Sequence, residues 1–127
     1  MPVALRYDLF EGNAVASSAP QSLIDVVLDV SGLRPSFGVA LSSERVARGK
    51  PAPDIYLAVV EMLGMVPDKC AAIEDSSNGL RSAAAAGLAV IAVPHPKYPP
   101  APDALGSARV VLSSLAELTP DMVMALG

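Results

Sequence analysis

The chain has 127 residues, of which 52% are hydrophobic and 17% charged, and its formal net charge is −4. These values fit one core-forming globular domain over residues 1–127 and exclude a disordered or low-complexity chain. The acidic balance argues against a nucleic-acid or anionic-membrane partner, and the single cysteine, Cys70, excludes an internal disulfide.

In chain order, the elements alternate between strand and helix. Met1 to Phe10 shows no basic segment followed by a long apolar run, so no signal peptide is expected. Ala14 to Ser17 reads as a short strand. Pro20 opens a helix in which Leu23, Val26, Val27 and Val30 follow the 3.6-residue period, and Gly32 closes it. Phe37 to Leu41 reads as a second strand. Asp54 to Leu63 reads as a helix with Ile55, Val59 and Met62 on one face, ended by Gly64. Cys70 to Ile73 and Ala89 to Val93 are further strands, with a helix from Asn78 to Ala86 between them that stops at Gly87. Cys70, inside a strand, reads as an inert core thiol. The proline-rich stretch His95 to Pro102 excludes regular structure; Arg109 to Leu112 and Pro120 to Leu126 read as a last strand and a terminal helix. No apolar stretch reaches the roughly 20 residues that span a bilayer, and the location read from this is the cytoplasm. Alternating elements of this kind make an α/β fold with three layers and a mostly parallel, Rossmann-like sheet.

Chemistry concentrates at the element boundaries. The strand ending at Ile73 runs into two carboxylates, Glu74 and Asp75, and then into the N-cap types Ser76, Ser77 and Asn78. In an open α/β sheet, ligands bind at such carboxyl ends beside a helix N-terminus. Strand alternation turns the two acids to opposite faces; Asp75, nearer the helix, is assigned to direct contact and Glu74 to support. The same pair would also serve simply to stabilise the positive end of the helix. Ser17 and Ser18 lie where a strand gives way to a helix, suited to an anion or to plain N-capping. Lys50, between Gly49 and Pro51, is placed stiffly enough to clamp a phosphate, although most loop lysines are only solvated. His95, alone among prolines, reads as a surface residue, and the spacing Pro96 to Pro99 as a rigid connector rather than a ligand for an aromatic groove.

Val15 to Pro20, Gly49 to Tyr56 and Ile73 to Gly79 together resemble the second, third and fourth motifs of the haloacid dehalogenase-like phosphohydrolases. The resemblance is to the β-phosphoglucomutase and phosphoglycolate-phosphatase-like branch and covers about residues 14–94. It implies a phosphorylated small molecule as substrate and Mg2+ as cofactor. Ser17 would bond the transferring phosphoryl group, with Ser18 beside it, and Lys50 would neutralise charge between that group and the nucleophile. Asp75 would ligate Mg2+, with Glu74 helping through water or from behind.

The first motif of that family, an Asp-x-Asp pair on the central strand that supplies the nucleophile, is not matched. The nearest imitation, Tyr7 to Gly12, places Asp8 and Glu11 one position too far apart, and the few residues from Leu9 to Ala14 are too few for a parallel crossover. The substrate-choosing cap domain is likewise unmatched, so the chain reads as an incomplete, truncated core. Two functions follow: a Mg2+-dependent phosphatase or phosphomutase relative that is not catalytically competent as this chain alone, or a non-catalytic remnant or binding module that keeps an anion site and pairs with another chain. Without the nucleophile strand, the strands ending at Ser17 and Ile73 lack their shared partner. Three outcomes are open: Val3 to Leu9 fills the slot antiparallel, the two strands pair directly, or another chain supplies the strand. The chain is expected to self-associate through unpaired central strands.

Overall fold

The computed structural model describes residues 3–6 and 12–126. Its strands are Val3–Arg6 (β1), Asn13–Ser17 (β2), Val39–Ser42 (β3), Cys70–Glu74 (β4), Ala89–Ala92 (β5) and Val110–Val111 (β6). They form one sheet in the order β3-β2-β1-β4-β5-β6. The pairs β2–β3, β4–β5 and β5–β6 are parallel. The helices are Gln21–Ser31 (α1), Asp54–Met62 (α2), Ser77–Ala85 (α3), Pro102–Leu105 (α4) and Pro120–Ala125 (α5). Gly32 and Gly87, at φ +72° and +89°, adopt the left-handed conformation just beyond α1 and α3. The proline-rich stretch is irregular up to Ala101, but its last residue, Pro102, opens α4, because a proline at the first helical position loses no helical hydrogen bond.

Strand alternation divides the interior into two sides. Ala14, Ala16, Cys70, Ala72, Val90 and Ala92 point to the face covered by α2, α3 and α4, where Ile55, Tyr56, Val59, Leu80, Ala83 and Ala104 pack on them. Val15 points the other way and packs under Ile24 and Leu28 of α1. On that same side Ala71, Ala89 and Ile91 meet Leu112 and Val123. The sheet is thus the middle of three layers. Small strand residues on the α2–α3 face let those helices approach closely enough to enclose Tyr56 completely.

Two expected helix faces are corrected. In α1 the buried residues are Ile24 and Leu28, whereas Leu23, Val26, Val27 and Val30 are exposed, Val30 by 83%. The helix carries apolar residues around most of its circumference, so its period fits two faces and only the packing on Val15 selects one. In α2, Ile55 and Val59 are buried together with Tyr56 and Val60, and Met62 is exposed. At 3.6 residues per turn Met62 lies about 90° from the centre of that stripe.

The central slot is filled by β1, antiparallel to both neighbours: Val3 pairs with Val15 and Ile73, and Arg6 with Cys70. Of the three arrangements open to the sequence, this is the antiparallel one. The strands ending at Ser17 and Glu74 therefore both have a partner, and self-association does not follow from unpaired central strands. The open edges are β3 and β6. The direction of β1 matters for chemistry. Its first residue lies at the end of the sheet where β2 and β4 finish, and Arg6 lies at the opposite end. Asp8 and Glu11 lie outside the described residues.

Candidate functional site

Ser17, Ser18, Lys50, Glu74 and Asp75 all line one cleft of about 480 Å3 at the carboxyl ends of β2 and β4, together with Ala19, Ser76, Ser77 and Asn78. Parallel strands bring their ends to one edge, which is how residues far apart in the chain meet here.

The first wall is the turn after β2. Ser17 is buried, and its Oγ accepts a hydrogen bond from the Ala19 N–H at 3.1 Å. Ser18 is exposed. Neither serine caps α1, whose N-cap is Pro20. The Gln21 N–H that opens the helix instead donates to Glu44 Oε2 at 3.0 Å. The turn thus offers hydroxyls to the cleft, while the first N–H of α1 is taken by Glu44.

The second wall is the loop carrying Lys50. The buried Ser82 of α3 donates to Ala52 O at 2.7 Å and ties this loop down. Lys50 Nζ donates to Ala16 O at 3.1 Å and to Glu74 Oε1 at 2.6 Å. The side chains of that ion pair are 7% and 2% exposed. Desolvation of such a pair is costly and is offset only when further hydrogen bonds complete it. They do: Tyr56 OH donates to the same Oε1 at 2.5 Å, and the Tyr56 ring centroid lies 5.2 Å from Lys50 Nζ. Burial first, and then the negative charge of Glu74, push the Tyr56 phenol well above its ordinary range, so it stays a donor at neutral pH.

The third wall is the turn from β4 into α3. Ser76 caps α3 by accepting from the Gly79 N–H at 3.1 Å, and Ser77 Oγ accepts from Ala101 N–H at 2.9 Å. Glu74 turns inward under the helix and Asp75 is exposed at the cleft. A β-carbon at position 79 would overlap the Glu74 carboxylate, with Oε2 its nearest atom. No donor among the described residues reaches Oε2, although the side chain is almost fully enclosed.

Tyr56 and Gly79 were not singled out by sequence reasoning. A glycine at the third position of a helix, where alanine is favoured, was the available signal for Gly79. His95 stays apart from the cleft lining; its Nδ1 accepts from the Lys97 and Tyr98 N–H groups at 3.1 and 3.3 Å. No group of three or more His, Cys, Asp or Glu suited to a metal occurs among the described residues. No helix among them is long and apolar enough to cross a membrane.

Known proteins share sequence and fold with much of this chain. Hexitol phosphatase B of Escherichia coli K12 is 40% identical over 105 residues, which are 83% of this chain and 47% of that protein. Among solved structures, CbbY from Rhodobacter sphaeroides in complex with phosphate superposes with a TM-score of 0.74 at 34% identity, over 83% of this chain and 47% of that one. A HAD family hydrolase from Deinococcus radiodurans with bound phosphate and sodium gives 0.75 at 32% identity, over 89% and 52%. The chain thus spans about half the length of the relatives it matches. The sequence profile of the haloacid dehalogenase-like hydrolases matches residues 13–87, which holds every residue of the cleft, and the chain belongs to that family.

Proposed function

We propose that residues 1–127 form one partial core of this family that binds the phosphoryl group of a small molecule with Mg2+ and does not hydrolyse it unaided. The observation that supports this reading is the convergence of two hydroxyls, one ammonium and two carboxylates on one cleft. Phosphoryl transfer needs mainly positioning and electrostatic stabilisation of the phosphoryl oxygens. In this reading Ser17 and Ser18 hydrogen-bond those oxygens, and Lys50, anchored by Ala16 and Glu74, fixes a positive charge against them. Relatives carry the names hexitol phosphatase and CbbY, the latter seen with xylulose-1,5-bisphosphate, which makes phosphorylated sugars and sugar alcohols the class to test first.

The residues present fit Mg2+ in part. Glu74 Oε2 is a buried anionic oxygen that no donor among the described residues reaches, and Asp75 is exposed at the same cleft. Mg2+ takes one or two carboxylates and keeps several waters, so these two acids would hold it. When bound, it would supply charge neutralisation for the phosphoryl oxygens. With two protein ligands, affinity is expected in the millimolar range or weaker, about 4 kcal/mol or less.

A nucleophile is the part this reading lacks among the described residues. Among the described residues the only carboxylates lining the cleft are Glu74, already bound to Lys50 and Tyr56, and Asp75. By resemblance the family's nucleophile ends the central strand on this edge, whereas β1 runs the other way and ends at Arg6 on the opposite edge. The test is Mg2+-dependent turnover of p-nitrophenyl phosphate by this chain and its Asp8→Asn variant. No turnover is expected. Activity abolished by Asp8→Asn would contradict the reading by showing that Asp8 reaches the phosphoryl group.

A further inference from the structure

We infer that Ser42, the last residue of β3, is a positioning residue for phosphate and aims the Ser17 hydroxyl by way of Ala19. The inference rests on the reading above, in which Ser17 bonds the phosphoryl oxygens, and deepens it. Ser42 is fully buried, pairs with Ser17 across β2 and β3, and lies outside the residues that line the cleft. Its hydroxyl carries a single hydrogen, which Ala19 O accepts at 2.6 Å. The Ala19 N–H in turn donates to Ser17 Oγ at 3.1 Å. Ser17 Oγ thus accepts a hydrogen bond, and none of the described residues takes its own hydrogen, which is left for an anion in the cleft.

A serine that bonds the N–H two residues on makes only a weak turn and does not fix a hydroxyl by itself. Here the turn is held from β3. Pro20 sets the backbone just after Ala19 at φ −57°. The Gln21 carboxamide grips β3, accepting from Ser42 N–H at 2.9 Å and donating to Ala40 O at 3.0 Å. It takes the place that a peptide group of a further parallel strand would occupy along this open edge. Ser42 Oγ also accepts from Glu44 N–H at 3.1 Å, which caps the turn Ser43–Arg45 and fixes the hydroxyl's direction. Capping that turn is a structural task, whereas the bond to Ala19 O is the one that reaches the cleft. Without the Ser42 hydroxyl, Ala19 O loses its donor and the Ala19 N–H is no longer held against Ser17 Oγ.

The test is calorimetric titration of inorganic phosphate into the full chain as wild type, Ser17→Ala, Ser42→Ala, Ser42→Thr and the Ser17→Ala/Ser42→Ala double variant, below the unfolding temperature of each. Ser42→Ala is expected to weaken phosphate by about fivefold, the scale of one hydrogen bond. Ser42→Thr keeps the hydroxyl and should keep the affinity. The double variant should bind no more weakly than Ser17→Ala alone, because the two residues act as one unit. A purely structural role would lower stability and leave the affinity of the folded chain unchanged. Unchanged affinity in Ser42→Ala, or losses that add in the double variant, overturns the inference and leaves the phosphate reading standing. Phosphate binding that is absent in the wild type, or untouched by Ser17→Ala, overturns both. A second measurement needs no variant: in a crystal of the wild type with phosphate, Ser17 Oγ is expected on a phosphate oxygen with Ser42 Oγ still on Ala19 O. Phosphate held by Ser17 with the Ser42–Ala19 bond broken would overturn the inference.

Discussion

Lys50 and Glu74 meet across the cleft at 2.6 Å, an ion pair in which neither side chain is more than 7% exposed. Removing one partner of such a pair leaves the other charge buried and alone. Glu74→Gln is therefore expected to destabilise the chain by about 3–5 kcal/mol, the range for a broken buried pair. Asp75→Asn, at an exposed position one residue on, should stay within about 0.5 kcal/mol. Urea unfolding of the two variants against the wild type measures the contrast, and equal losses would contradict the inward placement of Glu74.

Gly79 and Glu74 make a second, steric relationship. On propensity alone, Gly79→Ala would stabilise α3 by up to about 1 kcal/mol. Here the new β-carbon overlaps a carboxylate that Lys50 and Tyr56 hold in place, so the expected outcome is a loss of about 1–3 kcal/mol. The check is a double-mutant cycle: in a Glu74→Ala background the same substitution should become neutral or stabilising.

Tyr56 gives a pH signature. Its phenol is raised above the usual 10.0 in the folded chain, so its contribution is fully present below pH 10 and is lost as pH rises toward the folded value. Above pH 10 the unfolded chain has released this proton and the folded chain has not, and stability falls with pH. Chemical unfolding of the wild type should therefore show a steeper decline between about pH 10 and 11 than Tyr56→Phe. Parallel curves would contradict the enclosed hydrogen bond to Glu74.

The two sides of α1 predict opposite costs. Ile24→Ala removes a fully buried side chain packed near Val15 and should cost about 2–4 kcal/mol. Val30→Ser, on the outer side, should lie within about 0.5 kcal/mol. Thermal or urea unfolding distinguishes this from the face that periodicity alone suggested.

What the sequence revealed and what it hid divide along local and non-local lines. Ser17, Lys50 and Asp75 were legible because each sits at an element boundary marked by turn and cap residues within a few positions. The strand–helix alternation was legible for the same reason. The buried face of α1 was not, since Leu23, Ile24, Val26, Val27, Leu28 and Val30 fit more than one stripe and the choice is made by β2. Tyr56 was hidden because its partner lies 18 residues away, and the carboxylate it holds belongs to the acid assigned only a supporting place. The course of β1 was legible only as one of three possibilities, because pairing with β4 is decided by contacts some 70 residues apart in sequence.

The central claim is that Ser17, Lys50 and Asp75 act together on one phosphoryl group with Mg2+. The most direct measurement is calorimetric titration of inorganic phosphate, with and without Mg2+, into the wild type, Lys50→Ala and Asp75→Asn chains. The account predicts that Mg2+ tightens phosphate binding in the wild type, that Asp75→Asn removes this effect, and that Lys50→Ala weakens phosphate at any Mg2+ level. Phosphate binding that is indifferent to Mg2+ and survives both substitutions would contradict it.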